Sequence, residues 1–353
     1  MKRTAALVSA LALCFTLLTS CGTGAPPAAN NGGTSNGNTN TEASYVFRVA
    51  HGDDPTDTCW KHRWCNRWGE LMQEYSNGQI CYEVYPSGQM GDETEMTSSC
   101  SLNSLEGTIV AATNLANYVP AVNYNNLPFM FDNCDEAREV GAKMGDFVME
   151  KSIEEGNVRT TISYTIPRQL STKKAVTCLA DIKGMKVRVP STDSMIKCYE
   201  AWGATPVVIS WAETYTALQQ GVADAQDNPI QLLRDGKLCE VQNYVTDTDY
   251  LIQCNCFVMS SDWYNSLPAD CQAAVDRATE EVIQYTYDMV DEELPALIEE
   301  LEGLDVEFLG YPSDLDEWKT LAHATWEGDY AAIGVGNTDL GKEIMEAVEQ
   351  AKG

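Results

Sequence analysis

Seven basic residues crowd into positions 159–188: Arg159, Arg168, Lys173, Lys174, Lys183, Lys186 and Arg188, against a single acid, Asp181. The whole chain holds 23 Lys and Arg against 52 Asp and Glu, a formal net charge of −29. A basic island in so acidic a protein either balances acids elsewhere on the surface or serves an anion. The stretch Lys186-Val187-Arg188-Val189-Pro190 favours the second use for one residue. Strand alternation puts Val187 and Val189 on one face and Lys186 and Arg188 on the other. Pro190 ends the strand, so Arg188 stands at its carboxyl end, where open α/β sheets bind ligands. A guanidinium there can grip a carboxylate through two parallel hydrogen bonds. Each charge-assisted bond is worth roughly 1.5–3 kcal/mol. The field of the acidic protein opposes an anion at long range, but salt screens it beyond about 8–10 Å.

Other residues also have side chains suited to a site. Trp211 sits at a strand-to-helix junction, where an aromatic either walls a ligand crevice or plugs the interior. Trp60, Trp64 and Trp68 recur at a spacing of four, which is one face of a helix. Trp60 and Trp64 lie nearer the start of that helix and are candidates for the crevice, Trp64 in particular. His51, at the end of the first strand, is a candidate by the strand-end argument. Cys59, His62 and Cys65 have zinc-ligand chemistry, but their spacing turns them off one face and no fourth ligand is evident. No metal or cofactor is expected. From Tyr45 onward the sequence lacks G-x-S-x-G, H-E-x-x-H, a phosphate-binding glycine loop and C-x-x-C. Its three histidines form no triad, so an enzyme is not the reading. An acidic balance of this size also excludes a nucleic-acid binder.

These residues need elements to place them. Alternation begins at Tyr45-Val46-Phe47-Arg48-Val49-Ala50, a strand. A helix follows from about Trp60 to Tyr75, stopped by Ser76-Asn77-Gly78, and Ile80 to Tyr85 is the next strand. Strand, helix, strand opens an α/β lobe. A second series has strands at 160–166, 186–189 and 206–209 and helices near 193–202 and 212–220. Ser210-Trp211-Ala212-Glu213 fits a capping box, and Gly221 stops that helix. Many acids, Glu281, Asp291, Glu293 and Glu300 among them, lie on one or two long helices and read as a solvated face.

The chain starts with Lys2 and Arg3, then an apolar run from Ala5 to Leu18, too short for a comfortable bilayer span. Residues 1–20 read as a signal peptide. Leu18-Thr19-Ser20-Cys21 resembles a bacterial lipobox, which makes Cys21 the lipidated new N-terminus and the anchor to the cell membrane. Residues 21–43 are then the lipidated cysteine and a flexible spacer rich in Gly, Asn, Thr, Pro and Ala. Of 13 cysteines, Cys14 leaves with the leader and Cys21 takes the lipid, so 11 remain and cannot all pair. The remaining body of about 310 residues suggests two lobes.

Five segments in order resemble the solute-binding subunits of TRAP transporters, the DctP-like family. They are Tyr85-Pro86-Ser87-Gly88-Gln89-Met90-Gly91, Leu127-Pro128-Phe129-Met130-Phe131, Asp181 to Pro190, Glu213 to Gly221, and Asp224-Ala225-Gln226-Asp227-Asn228-Pro229. The resemblance runs from Tyr45 into the 340s. It implies a periplasmic-binding-protein-like fold of two α/β lobes joined by crossing strands, with a small organic acid held between them. Lobe one is expected at 44–165 plus 254–293, and lobe two at 166–253 plus 294–353. A long helix near 270–300 should brace both.

By the same resemblance Arg188 binds the ligand carboxylate, Arg168 is a second arginine of the clamp, and Trp211 and Asn228 contact the ligand. Two departures stand out: Ala225 and Asp227 replace the family's Gly and Glu. The implied partners are the small and large TRAP membrane subunits, coupled to a sodium gradient, with the chain itself monomeric. A rival on the same fold reports to a membrane sensor instead. The acid is open among C4-dicarboxylates, sugar acids, sialic acid, keto acids and aromatic acids.

Overall fold

The computed structural model describes residues 43–353. The expected leader, Cys21 and the spacer up to residue 42 lie outside the described residues. Ten strands form the framework: β1 (Tyr45–Ala50), β2 (Ile80–Tyr85), β3 (Gly107–Ala111), β4 (Val158–Thr172), β5 (Lys186–Val189), β6 (Thr205–Val208), β7 (Ala225–Pro229), β8 (Tyr244–Thr246), β9 (Ile252–Ser260) and β10 (Glu307–Phe308). Their order is β2-β1-β3-β9-β4-β7-β5-β6, with β8 on β4 and β10 on β8.

β4 is the member that joins the two halves. Its first part, Val158 to Tyr164, runs antiparallel to β9, and its last part, Arg168 to Thr172, runs antiparallel to β7. The register shifts between Tyr164 and Pro167. Proline has no amide hydrogen to give a ladder, so a register shift is where a strand tolerates it. The sequence pattern placed this strand at 160–166; it continues to Thr172 because the chain resumes pairing, on a second sheet, just after Pro167. Lobe one is the sheet β2-β1-β3-β9 with the start of β4. Lobe two is the end of β4 with β7, β5 and β6, of which β5 pairs in parallel with both β6 and β7.

β1, β2 and the helix Trp60–Tyr75 fall where alternation and helical spacing put them. The junction at Ser210 differs. Trp211–Glu213 is a short 3-10 turn and the helix proper is Thr214–Gln220. Ser210 Oγ donates to Glu213 Oε2 at 2.8 Å and caps no backbone amide, so the box closes between side chains only. Gly221 does end the helix, at φ 73°.

The long helix Ala269–Gly303 packs along both lobes. Val275, Val282 and Met289 share a core with Phe47, Trp64 and Trp68 of lobe one, and Leu297 and Leu301 meet the same core beside Leu233 and Val245 of lobe two. Its acids do more than face solvent. Glu293 takes Arg63 at 2.6 Å, Glu281 takes Arg67 at 3.1 Å, Asp291 takes Arg138 at 3.0 Å and Glu300 takes Arg234 at 3.5 Å. Each exposed pair is worth at most about 1 kcal/mol, but the four fix the rotation of the helix against its neighbours.

The expected assignment of 294–353 to lobe two needs correction. The helix Leu315–His323 does pack there, with Trp318 on Trp202. The chain then returns. Ile333, Ile344, Met345 and Val348 join Val119, Val140 and Val148 in the core of lobe one, and Trp326 Nε1 donates to Pro128 O at 3.0 Å. The apolar stripe of the last helix, Thr338–Lys352, finds its complement on the helix Cys134–Gly156.

Gly341 is the contact that lets this helix dock: a Cβ there would stand 1.9 Å from Tyr330 O, a backbone atom. In an open helix Gly→Ala gains up to about 1 kcal/mol. Here the clash reverses the sign, and Gly341→Ala should destabilise by roughly 1–3 kcal/mol, read as a lower urea midpoint; a gain in stability would show that the contact is not tight.

Candidate ligand-binding cleft

Between the lobes lies an inner chamber of about 50 Å³, and beside it a wider one of about 480 Å³. Both are lined by Glu93, Asn114, Arg188, Pro190 and Trp211. β5 delivers Arg188 to this place. Its backbone pairs with Val207 on one side and Gln226 on the other, and Pro190 closes the strand just beyond it. The side chain is only 4% exposed. Its Nε donates to Ile209 O at 2.9 Å. Among the described residues, the two terminal nitrogens have no protein acceptor, and no acid lies within ion-pair distance. Burial first, then the nearby Arg168 charge, push its pKa down to about 10.

Arg168 is differently placed. It lines the inner chamber, but its Nη1 donates to Gln253 Oε1 at 2.8 Å, and its Nη2 donates to Asp227 at 2.7 Å (O) and 3.0 Å (Oδ1). Both terminal nitrogens of Arg168, which the resemblance implies as a second arginine of the clamp, are therefore bonded to the protein. Asn228, two strand positions from Gln226, lines the chamber and donates to Gln226 Oε1 at 2.5 Å, which orients its own carbonyl oxygen.

Trp211 is half-buried and lines both chambers. Its indole packs on Gly236, where a Cβ would come within 2.9 Å of the ring, and reaches toward Gly52 of the other lobe. Trp60 and Trp64 line the inner chamber, whereas Trp68 turns away to donate to Thr279 Oγ1 at 3.0 Å. The indole N–H of Trp64 is buried without a partner. His51 does not line the chamber. It is fully buried, its Nε2 lies 2.9 Å from His62 Nδ1, and its Nδ1 accepts from the Asp53 amide at 3.2 Å. The turn after β1 carries the chain past the cleft, so Asp53 lines it in place of His51.

The family model of the bacterial extracellular solute-binding proteins, family 7 (DctP), matches residues 51–332. The chain belongs to this family. It is a solute-binding protein of the TRAP type, it works outside the cytoplasm, and it is not an enzyme. The 2,3-diketo-L-gulonate-binding periplasmic protein of Escherichia coli is 24% identical over 318 residues, 89% of this chain and 94% of its own length. A TRAP periplasmic solute-binding protein of Rhodobacter sphaeroides, in an open apo form, superposes with a TM-score of 0.74 at 30% identity, covering 87% of this chain and 99% of its own. One from Roseobacter denitrificans with bound L-galactonate superposes at 0.77 with 26% identity, covering 88% and 99%.

Beyond its arginine, tryptophans and asparagine, the cleft of this DctP-family chain holds residues that sequence reasoning missed. Lys61 Nζ bonds Glu93 Oε1 at 2.8 Å and stands 3.7 Å from Asp53 Oδ2. Glu93 Oε2 also accepts from the Ala111 amide and from Asn114 Nδ2. Asp235, Gln231, Gln253 and Asn255 complete the wall. Gln253 and Asn255 carried a signal: two amides, two apart, in the otherwise apolar run of β9. Lys61 and Asp235 carried none, because each looks like any surface charge until its element is placed.

The His51–His62 contact works only with both rings neutral, since the Asp53 amide occupies His51 Nδ1. Burial, with Lys61 and His62 nearby, pushes the His51 pKa down to about 3. A histidine depressed in the fold stabilises it above its unfolded pKa of about 6.5 and loses that contribution as pH falls toward 3. Urea midpoints measured from pH 7.5 to 4.5 should therefore fall more steeply in the wild type than in His51→Gln, by up to one proton taken up on unfolding. Parallel curves would mean His51 is not held neutral.

Proposed function

We propose that this DctP-family protein captures a small organic carboxylate in the cleft, with Arg188 as the clamp. The observation that carries the reading is the state of that guanidinium: buried, tethered by Nε, and with two terminal nitrogens turned to the chamber without an acid. A buried charge without a partner is costly, and a carboxylate is the group whose geometry matches two parallel N–H donors. Trp64 and Trp211 would flank the bound acid, and Asn228 would offer it an oriented amide. The acids named for the relatives, 2,3-diketo-L-gulonate and L-galactonate, have the same carboxylate chemistry.

Binding would draw the lobes together, because the chamber walls come from both, and β4 and β9 are the strands that cross between them. The closed protein would then dock on the small and large TRAP membrane subunits for ion-driven uptake. A lipid on Cys21 would hold it at the membrane surface, where a single thioether-linked lipid with its acyl chains supplies the attachment.

Arg188→Ala removes two charge-assisted bonds, so affinity for the native acid should fall about a hundredfold or more. Ligand-induced thermal stabilisation reports this, and an unchanged shift would sink the clamp. Cys21→Ser should move the protein from the membrane pellet to the soluble fraction; a variant still pelleting with membranes would remove the anchor from the mechanism.

A further inference from the structure

The geometry points to a hydroxylated monocarboxylate as the ligand, with Asp235 and Asp53 as the residues that reject a second carboxylate. This rests on the Arg188 clamp of the preceding reading and adds what the other lining residues demand. Three cations line the inner chamber, and two of them are already matched. Arg168 is paired with Asp227 at 3.0 Å, and Lys61 stands between Glu93 at 2.8 Å and Asp53 at 3.7 Å. Arg188 alone is unpaired among the described residues, so the chamber has a place for one carboxylate.

The rest of the lining includes several acceptors. Asp53 and Asp235 come from the two lobes and both line the chamber, their side chains 6% and 4% exposed. Asp235 Oδ1 accepts from Arg234 Nε at 2.8 Å, and that arginine also reaches Glu300. Burial pushes Asp53 upward against the opposing pull of Lys61, and Asp235 up to about 6 against that of Arg234. Gln231 Oε1, on a side chain 7% exposed, is an acceptor with no donor. A second ligand carboxylate would meet two acids here, and the cations beside them, Lys61 and Arg234, are already paired.

Two lining residues carry a buried donor without a partner: Trp64, 1% exposed, at its indole N–H, and Arg168 at Nε. An ammonium group would satisfy the aspartates and offer Trp64 no lone pair. A hydroxyl both donates and accepts, and so answers Gln231, the aspartates and Trp64 alike. Several hydroxyls on a short chain ending in one carboxylate can both give and take hydrogen bonds along this lining.

Two matched pairs of acids isolate the point: gluconate with glucarate, and galactonate with galactarate. Within each pair only the last carbon changes, from a hydroxymethyl to a carboxylate. Calorimetry on the purified full chain should show the monoacid of at least one pair binding ten or more times tighter than its diacid. Asp235→Asn should narrow that ratio at least threefold, and Asp53→Asn reads the same ratio should the first variant not fold. A diacid that binds as tightly as its monoacid, a ratio that neither substitution changes, or a tighter fit for 2-amino-2-deoxygluconate than for gluconate would overturn the assignment. Binding of none of the four acids would overturn it too. Arg188→Ala runs alongside: if it abolishes binding of whatever acid the wild type takes, the clamp survives a wrong ligand class, and if it changes nothing, the clamp itself is wrong.

Discussion

Arg168 and Asp227 are both buried, and each is the other's counter-charge at 3.0 Å. Taking such a pair out of water is costly, so it adds little stability over an apolar pair; losing one partner, however, costs on the order of 3–5 kcal/mol. The pair ties β4 to β7 just where β4 enters the second lobe. It also sets the charge state of the cleft. With Arg168 matched inside the protein, the cation left over is Arg188, on the neighbouring strand. The repulsion between the two guanidiniums works in the same direction, since it raises the cost of leaving Arg188 without an anion.

The same region is where the two halves of the molecule are joined. β4 changes partners around Pro167, and the Arg168 amide bonds Leu251 O at 2.8 Å at the start of β9. Strands that serve two sheets across an irregular register are stiff along their length and weaker at the break. The long helix and its ion pairs run beside both lobes, and the C-terminal helix is returned to lobe one by apolar packing. The cleft is thus floored by strands common to both halves and walled by residues that belong to one half each. Asp53 and Asp235 face the same chamber from opposite lobes, so any approach of the lobes changes the separation of these two acids.

A protein of net charge −29 handling an anion is not a contradiction on this scale. Repulsion from surface acids decays within about one Debye length, roughly 8 Å at physiological salt. Inside the chamber the acids near the arginines are occupied: Asp227 by Arg168, and Glu93 by Lys61, Asn114 and the Ala111 amide. Local pairing, and not total charge, decides which groups an entering ligand meets.

Much of this was legible in the residues. Val187 and Val189 alternating with Arg188 before Pro190 placed that arginine at a strand end, and the structure puts it in the chamber. Trp60 and Trp64 were separable from Trp68 by their place on one helix. Strand period and helical spacing depend on local backbone geometry alone, so they survive without knowledge of partners. His51 shows the limit of the same argument. A strand end lies near the cleft, yet the turn after β1 aims His51 at His62 and Asp53 at the chamber. Arg168 shows it again: whether a guanidinium is free or already matched depends on Asp227, 59 positions away. The sequence by itself determined the α/β lobes and the site's strand-end address. Only the tertiary structure decided which charges are paired, because pairing depends on distances between residues far apart in the chain.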